Sequence, residues 1–161
     1  MSNNIQQQTT INIQEKANLI WAIADKLVGV YKPHEYGNVI LPMCVIKRFE
    51  DTLAPTKQAV LDTNAKLDKD GIVVKKGFLE TAAGQQLYNL SPFTFQSLLN
   101  DPENIKENFE SYLNHFSENV IDIIHRMDFD RELQKMADNN VLYLVIKEFC
   151  TSKAYLGADL V

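Results

Sequence analysis

The residues of this sequence that could carry acid–base or metal chemistry are few and scattered. Its three histidines, His34, His115 and His125, lie far apart, and none has a second His or Cys at a spacing typical of a metal site. His34 and Glu35 are adjacent and could in principle form an acid–base pair, but no motif places a nucleophile or a second carboxylate with them. We therefore expect no catalytic residue and no metal ligand in this chain. A small enzyme built around His34 and Glu35 is the weakest functional hypothesis.

The basic residues Lys47 and Arg48 are the best candidates for a binding surface. They follow the apolar run of residues 39–46, and Lys57 comes one short element later. Lysine and arginine side chains at such a position could contact DNA phosphates, which gives salt-sensitive binding without base specificity. The alternative is a solvated tip at which Arg48 pairs with a nearby acid such as Glu50 or Asp51. The three residues are therefore predicted contacts for DNA or a partner subunit.

The overall charge argues against a protein that binds nucleic acid by itself. Lysine and arginine number 16, aspartate and glutamate 21, and the net charge is −5. An autonomous nucleic-acid binder usually carries a basic excess. Any DNA contact must then come from a local patch or from a partner.

The two cysteines and the N-terminus indicate the cellular setting. Cys44 and Cys150 both lie inside apolar runs, which favours buried thiols in a reducing cytoplasm over a disulfide. Residues 1–10 are rich in Asn, Gln and Thr and lack the features of a signal peptide, and no apolar run approaches the roughly 20 residues of a membrane span. We expect a cytoplasmic protein without membrane contact, with a disordered tail at residues 1–10 and one domain over residues 11–161.

Apolar periodicity predicts helices in the first half. The first helix begins at Ile13 and ends near Gly29 and Pro33, and its predicted buried face comprises Ile13, Ala17, Ile20, Trp21, Ala24, Leu27, Val28 and Tyr31. The run at 39–46 could be a helix or a strand, but Pro42 excludes a central strand and favours a buried helix that extends to Leu53. Pro55 then opens a further helical stretch.

The middle of the chain gives weaker signals, and the second half gives clear ones. Asp70-Gly71 is a turn signal compatible with a small β-hairpin near residues 66–76, while residues 77–90 are predicted to be irregular with one or two helical turns. Helices are then predicted after Asp101-Pro102, after Ser117, after Asp128 or Asp130, and after Asn140. Their predicted buried residues include the aromatic residues Phe109, Tyr112 and Phe116, then Val120, Ile123, Ile124 and Met127, and finally Leu142, Val145, Ile146 and Phe149. The predicted fold class is all-α, a single domain of about seven short helices.

Ordered segments throughout the chain resemble one known family. The sequence looks like the opening of the modification (M) subunits of type I restriction-modification DNA methyltransferases. The matching segments, in order, are residues 17–27 (ANLIWAIADKL), 36–42 (YGNVILP), 47–49 (KRF), 55–57 (PTK), 91–95 (SPFTF), 98–102 (LLNDP), 116–120 (FSENV) and 138–143 (DNNVLY).

This resemblance implies a helical N-terminal domain that precedes a catalytic domain absent from this chain. The parent enzyme would use S-adenosylmethionine to methylate adenine N6 in DNA, and its partners would be a specificity subunit and a motor/nuclease subunit. No cofactor is expected in this chain itself, because it has neither a glycine turn after a strand nor an Asn/Asp-Pro-Pro-aromatic loop. The alternative from another functional class is an autonomous helical nucleic-acid-binding domain that uses Lys47, Arg48 and Lys57.

Overall fold

The fold is all-α, as predicted. A computed structural model of the protein describes residues 2–152, and that part of the chain contains no β-strand. Three short 3-10 turns, at Pro33–Glu35, Ala54–Thr56 and Pro102–Asn104, lead into helices. The α-helices in chain order are α1 (Ser2–Leu27), α2 (Gly37–Leu53), α3 (Lys57–Lys69), α4 (Lys76–Ala83), α5 (Phe95–Leu98), α6 (Ile105–Asn114), α7 (Glu118–Arg126), α8 (Phe129–Asp138) and α9 (Leu142–Thr151).

The predicted hairpin near residues 66–76 is wrong. Leu67 is buried within α3, and the helix ends in a tight turn at Asp70 and Gly71. Gly71 has a φ of +72°, and the N–H of Ile72 donates to the carbonyl of Leu67 at 2.9 Å. The glycine signal therefore marks a helix end with a left-handed residue. The chain turns back here between α3 and α4 and not between two strands.

Helix α1 was predicted correctly in type, but most of its predicted buried face is wrong. Leu27 and Tyr31 are buried as expected, and the helix ends at Leu27 before Gly29, whose φ is +85°. Trp21, in contrast, is 71% exposed. The other predicted core positions that are exposed are Ile13, Ala17, Ile20 and Val28. Leu19 and Ile23 are buried in their place, because α1 carries a wider apolar arc than this domain covers.

The start of α1 also differs from the predicted one. The structure begins the helix at Ser2, well before Ile13. The disorder of residues 1–10 in solution and the extent of the domain over residues 11–161 stay predictions.

Helix α2 confirms the interpretation of the apolar run at residues 39–46. Pro42 lies inside the helix, at its sixth residue, and is buried together with Val39, Met43 and Ile46. Pro42 has no N–H to donate to the carbonyl of Asn38, so α2 lacks one hydrogen bond in its second turn, where the proline ring is buried. The helix then continues for three more turns to Leu53. It places Lys47, Arg48 and Glu50 on its C-terminal half.

The core of the domain is aromatic at its centre. Phe95, in the single turn of α5, is 1% exposed and packs edge-to-face against Phe109, Tyr112 and Phe149 at centroid distances of 5.8, 6.0 and 5.8 Å. These rings come from α6 and α9. Edge-to-face packing of this kind adds about 0.5–1.5 kcal/mol per pair beyond the buried area. The predicted assignment of the α6 aromatic residues to the core is therefore confirmed, and Phe95 joins α5 to it.

The later helices agree with their predicted starts, and most of their predicted buried residues are buried, but Ile123 of α7, which was predicted to be buried, is 39% exposed. Helix α6 follows the 3-10 turn at Pro102–Asn104, α7 follows Ser117, and α9 follows Val141. The buried residues of α9 are the predicted ones: Leu142, Val145, Ile146 and Phe149. None of the helices in the described part of the chain combines the length and apolar composition that crossing a bilayer requires.

Candidate functional site

The three predicted contact residues lie where α2 meets α3, and the structure separates them into two groups. Lys47 and Lys57 are partly buried and approach a shared carboxylate, Glu50, whereas Arg48 is exposed on the outer side of α2. Helical geometry explains the separation. Successive residues of a helix point about 100° apart, so Lys47 and Arg48 cannot share one environment.

Lys47 is held by contacts within the domain. Its Nζ donates to Asp51 one turn later, lies 3.5 Å from Oε2 of Glu50, and stands 5.6 Å from the ring centroid of Phe95. Burial lowers the pKa of Lys47, but the hydrogen bond to Asp51 and the charges of Glu50 and Asp51 outweigh burial, so that its pKa is raised. The ammonium group is therefore charged and neutralised locally.

Lys57 is also held inside the domain, and it forms no direct ion pair with any of the residues that the structure describes. Its Nζ donates to the backbone carbonyl of Phe93 at 2.7 Å and lies 5.2 Å from the ring centroid of Tyr112. Burial lowers its pKa, and the more distant charge of Glu50 opposes that effect only in part. In this position Lys57 ties α3 to the segment that leads into α5.

Glu50 connects these residues, and the sequence did not predict its role. One carboxylate oxygen, Oε1, accepts the backbone N–H of Phe95 at 2.8 Å and the hydroxyl of Tyr112 at 3.1 Å. The side chains of Glu50 and Asp51 are largely buried, and Lys47 bonds to both. Burial and the charge of Glu50 together raise the pKa of Tyr112 well above its usual value. The cluster of Lys47, Glu50, Asp51, Lys57 and Tyr112 is a structural polar network, which we call the Glu50 network.

The interior beside the Glu50 network is nearly filled. The gap lined by Glu50, Lys57 and Tyr112 has a volume of about 10 Å³. That is close to the space needed for a single water molecule. The network therefore leaves no room for a cofactor at this place.

Arg48 is the exposed cation of this region. Among residues 2–152 it has no ion pair or hydrogen bond in the structure, so the expected alternative of a pair with Glu50 or Asp51 does not form there. Leu41, two helical turns earlier, is 64% exposed and lies on the same side of α2. This side of α2 can meet a partner without breaking internal contacts.

The other titratable residues singled out by the sequence lie apart from this region. Glu35 accepts the backbone N–H of Lys32 at 3.0 Å, and that hydrogen bond lowers the pKa of Glu35, while His34 is exposed beside it. The ring of His115 contacts the carbonyl of Ser111 at 2.6 Å at the end of α6. Within residues 2–152 no three His, Cys, Asp or Glu side chains lie close enough together to hold a metal ion.

The two thiols lie partly buried. Burial raises the pKa of Cys44 to about 11 and that of Cys150 to about 11. Thiols with such pKa values are almost fully protonated at neutral pH and react slowly. They pack as small apolar side chains at the edge of the core.

A surface groove between α4 and α7 has a volume of about 570 Å³. Its charged lining residues are three carboxylates, Glu80, Glu118 and Asp122, and one ammonium group, that of Lys76. The negative excess disfavours phosphate binding there. The groove is therefore a weaker candidate for DNA contact than the outer side of α2.

Over residues 2–152 the fold and this distribution of side chains define a helical domain that offers exposed surfaces for binding and whose interior is nearly filled beside the Glu50 network. The family model described as the HsdM N-terminal domain matches residues 16–149. The chain belongs to this family, the N-terminal domains of the M subunits of type I restriction-modification systems. Comparisons with curated proteins and with solved structures gave no match.

Proposed function

We propose that this chain is the N-terminal interaction domain of a modification subunit that, as a whole, methylates adenine N6 in DNA with S-adenosylmethionine. The domain helps to contact DNA and the partner subunits, which are a specificity subunit and a motor/nuclease subunit, in the cytoplasm. Family membership over residues 16–149 is the observation that carries this proposal. Methyl transfer to adenine by the complete subunit with its specificity subunit tests it, and a complex that transfers no methyl group would refute it.

The proposed DNA contact lies on the outer side of α2, and Arg48 is its main residue. Lys47 and Lys57 were predicted with it, but their ammonium groups already bond to Asp51 and to the carbonyl of Phe93. Moving either lysine to a phosphate would break those contacts. Arg48 can donate to a phosphate at no such cost, and its planar guanidinium suits bidentate binding.

Replacing Arg48 by glutamine should weaken DNA binding by the assembled modification enzyme. One lost phosphate contact should lower the affinity by roughly 5-fold at low salt and reduce the slope of log affinity against log salt by about 1. Fluorescence anisotropy of a labelled duplex over a range of salt concentrations measures both. Arg126→Gln, which removes an exposed arginine from α7, is the matched control. Equal losses in the two variants would show a general charge effect and contradict a specific contact at α2.

The autonomous nucleic-acid-binding domain receives less support from these contacts. Two of its three proposed residues, Lys47 and Lys57, serve internal roles, and the net charge of the chain is −5. We therefore expect the chain alone to leave the anisotropy of the same duplex unchanged at low salt. Tight binding of the duplex by the chain alone would favour the autonomous nucleic-acid-binding domain over the interaction domain of a modification subunit.

S-adenosylmethionine should not bind to the 161-residue chain. The sequence has no glycine turn that follows a strand, which is the element that holds this cofactor in methyltransferases, and the gap in the Glu50 network is too small for it. Isothermal titration calorimetry of the chain should give no binding heat, whereas the complete subunit should. Stoichiometric binding to the chain alone would contradict the proposed placement of the catalytic site outside it.

A further inference from the structure

Helix α1 presents an exposed apolar face beside the one that packs on the domain. Ile13, Ile20 and Trp21 of this helix are 61%, 44% and 71% exposed, Ala17 between them is exposed as well, and Val28, which directly follows the helix, is 66% exposed. At 100° per residue the four helical positions fall within one arc about 100° wide. None of the positions in this arc between Ile13 and Val28 carries a charge. We call these five residues the α1 face.

The adjacent arc of the same helix is already packed. Leu19, Ile23 and Leu27 are buried, and α1 contacts α9 and α2 on that side. A helix with two neighbouring apolar sides is usually buried on both of them. The domain covers one side and leaves the α1 face to another body.

The size of the α1 face limits what that body can be. From Ile13 to Leu27 the helix rises about 21 Å, and the α1 face comprises five side chains. A stable contact between separate proteins comprises roughly 20–30 residues on each side. A second, untethered copy would therefore be held too weakly by this face, whereas a body in the same polypeptide benefits from a high effective concentration.

The path of the polypeptide leads toward the α1 face. Oε1 of Glu148 in α9 lies 3.8 Å from Nζ of Lys26 in α1, and α9 ends at Thr151, three residues later. Three helical residues span about 5 Å, so α9 ends close to the C-terminal end of α1. The described part of the chain therefore ends near the C-terminal end of α1.

We infer that the α1 face is the docking surface for the domain that follows in the same modification subunit, which presents an apolar and uncharged surface to it. The inference rests on the proposed function for the existence of that following domain. It assigns Trp21 and Ile20 to the centre of an interdomain contact.

Thiol labelling tests the inference. Ala17→Cys places a thiol in the α1 face and leaves Ile20 and Trp21 unchanged, and Val73→Cys places one in a loop where the native side chain is 88% exposed. Each variant is made in the 161-residue chain and in the complete subunit, labelled with a maleimide, and followed by mass spectrometry of the relevant peptide. Cys44 and Cys150 contribute little background, because their pKa values are about 11.

The cysteine at position 17 should react at least about 10-fold more slowly in the complete subunit than in the chain, whereas the cysteine at position 73 should react equally in both. Equal rates at position 17 would overturn the inference. A rate at position 17 that falls as the concentration of the chain alone rises would overturn it in favour of self-association. A complete subunit that protects position 17 but transfers no methyl group would refute the proposed function and leave the inference standing.

Discussion

Phe95→Ala should lower the free energy of unfolding of this domain by about 3–5 kcal/mol, the largest single effect we expect. The Phe95 ring is 1% exposed and contacts the rings of Phe109, Tyr112 and Phe149, which belong to α6 and α9. Removing it leaves a cavity between these rings and also removes the surface over which the ammonium group of Lys47 lies. The surroundings cannot close the cavity without moving two helices.

The local structure around Phe95 increases the loss. Helix α5 consists of four residues, which is too short to be stable by itself, so its place depends on tertiary contacts. Its start is capped by Thr94, whose hydroxyl accepts the N–H of Ser97 at 3.1 Å. The cap stabilises the conformation of the turn, whereas the Phe95 ring attaches the turn to the core.

Urea unfolding followed by far-ultraviolet circular dichroism measures the effect. The control is Phe78→Ala, because the Phe78 side chain is 54% exposed and its loss should change the free energy of unfolding by less than about 1 kcal/mol. A loss below about 1 kcal/mol for Phe95→Ala, or equal losses for both variants, would contradict the central place of Phe95 in the core.

The helices could be predicted from the sequence because their signals are local. Pro42 decided between strand and helix for residues 39–46, and Gly29 marked the end of α1, since each acts on the backbone within one turn. The family, too, could be recognised from short segments of sequence. The Asp70-Gly71 signal was read wrongly because a glycine in the left-handed region suits both a hairpin turn and a helix end.

The burial of the α1 residues could not be predicted, because burial depends on what packs beside the helix. Periodicity indicates which positions are apolar, and it gave one continuous face that includes Trp21 and Leu27. The structure buries Leu27 and leaves Trp21 exposed. Only the positions of α2 and α9 decide which part of a wide apolar arc is covered.

The environments of the candidate site residues could not be predicted from the sequence either. Lys47, Arg48 and Lys57 could be selected by charge and position, but their separate environments depend on residues far away in sequence. Glu50 meets Phe95 and Tyr112, which follow it by 45 and 62 positions. No pattern in a single sequence connects residues at such separations, so the role of Glu50 was missed.

Glu50→Ala should lower the free energy of unfolding by about 2–4 kcal/mol, because it leaves two donors at the centre of the domain without their acceptor. These donors are the backbone N–H of Phe95 and the hydroxyl of Tyr112, which is 1% exposed. Glu50→Gln should lose less, because its amide oxygen can still accept one or both hydrogen bonds although the charge beside Lys47 is gone. The wild type should be the most stable, Glu50→Gln less stable, and Glu50→Ala the least stable. This order distinguishes the hydrogen-bonding role of Glu50 from simple filling of space.

The control for Glu50 is another glutamate in an ion pair on a helix. Glu110 lies 3.7 Å from Lys106 one turn earlier and its side chain is 46% exposed, so Glu110→Ala should change the free energy of unfolding by less than about 0.5 kcal/mol. Both variants are unfolded in urea under the same conditions. If Glu50→Ala cost no more than Glu110→Ala, the two hydrogen bonds of Glu50 would contribute no more to stability than an exposed ion pair, and Glu50 would not hold α2 to α5 and α6.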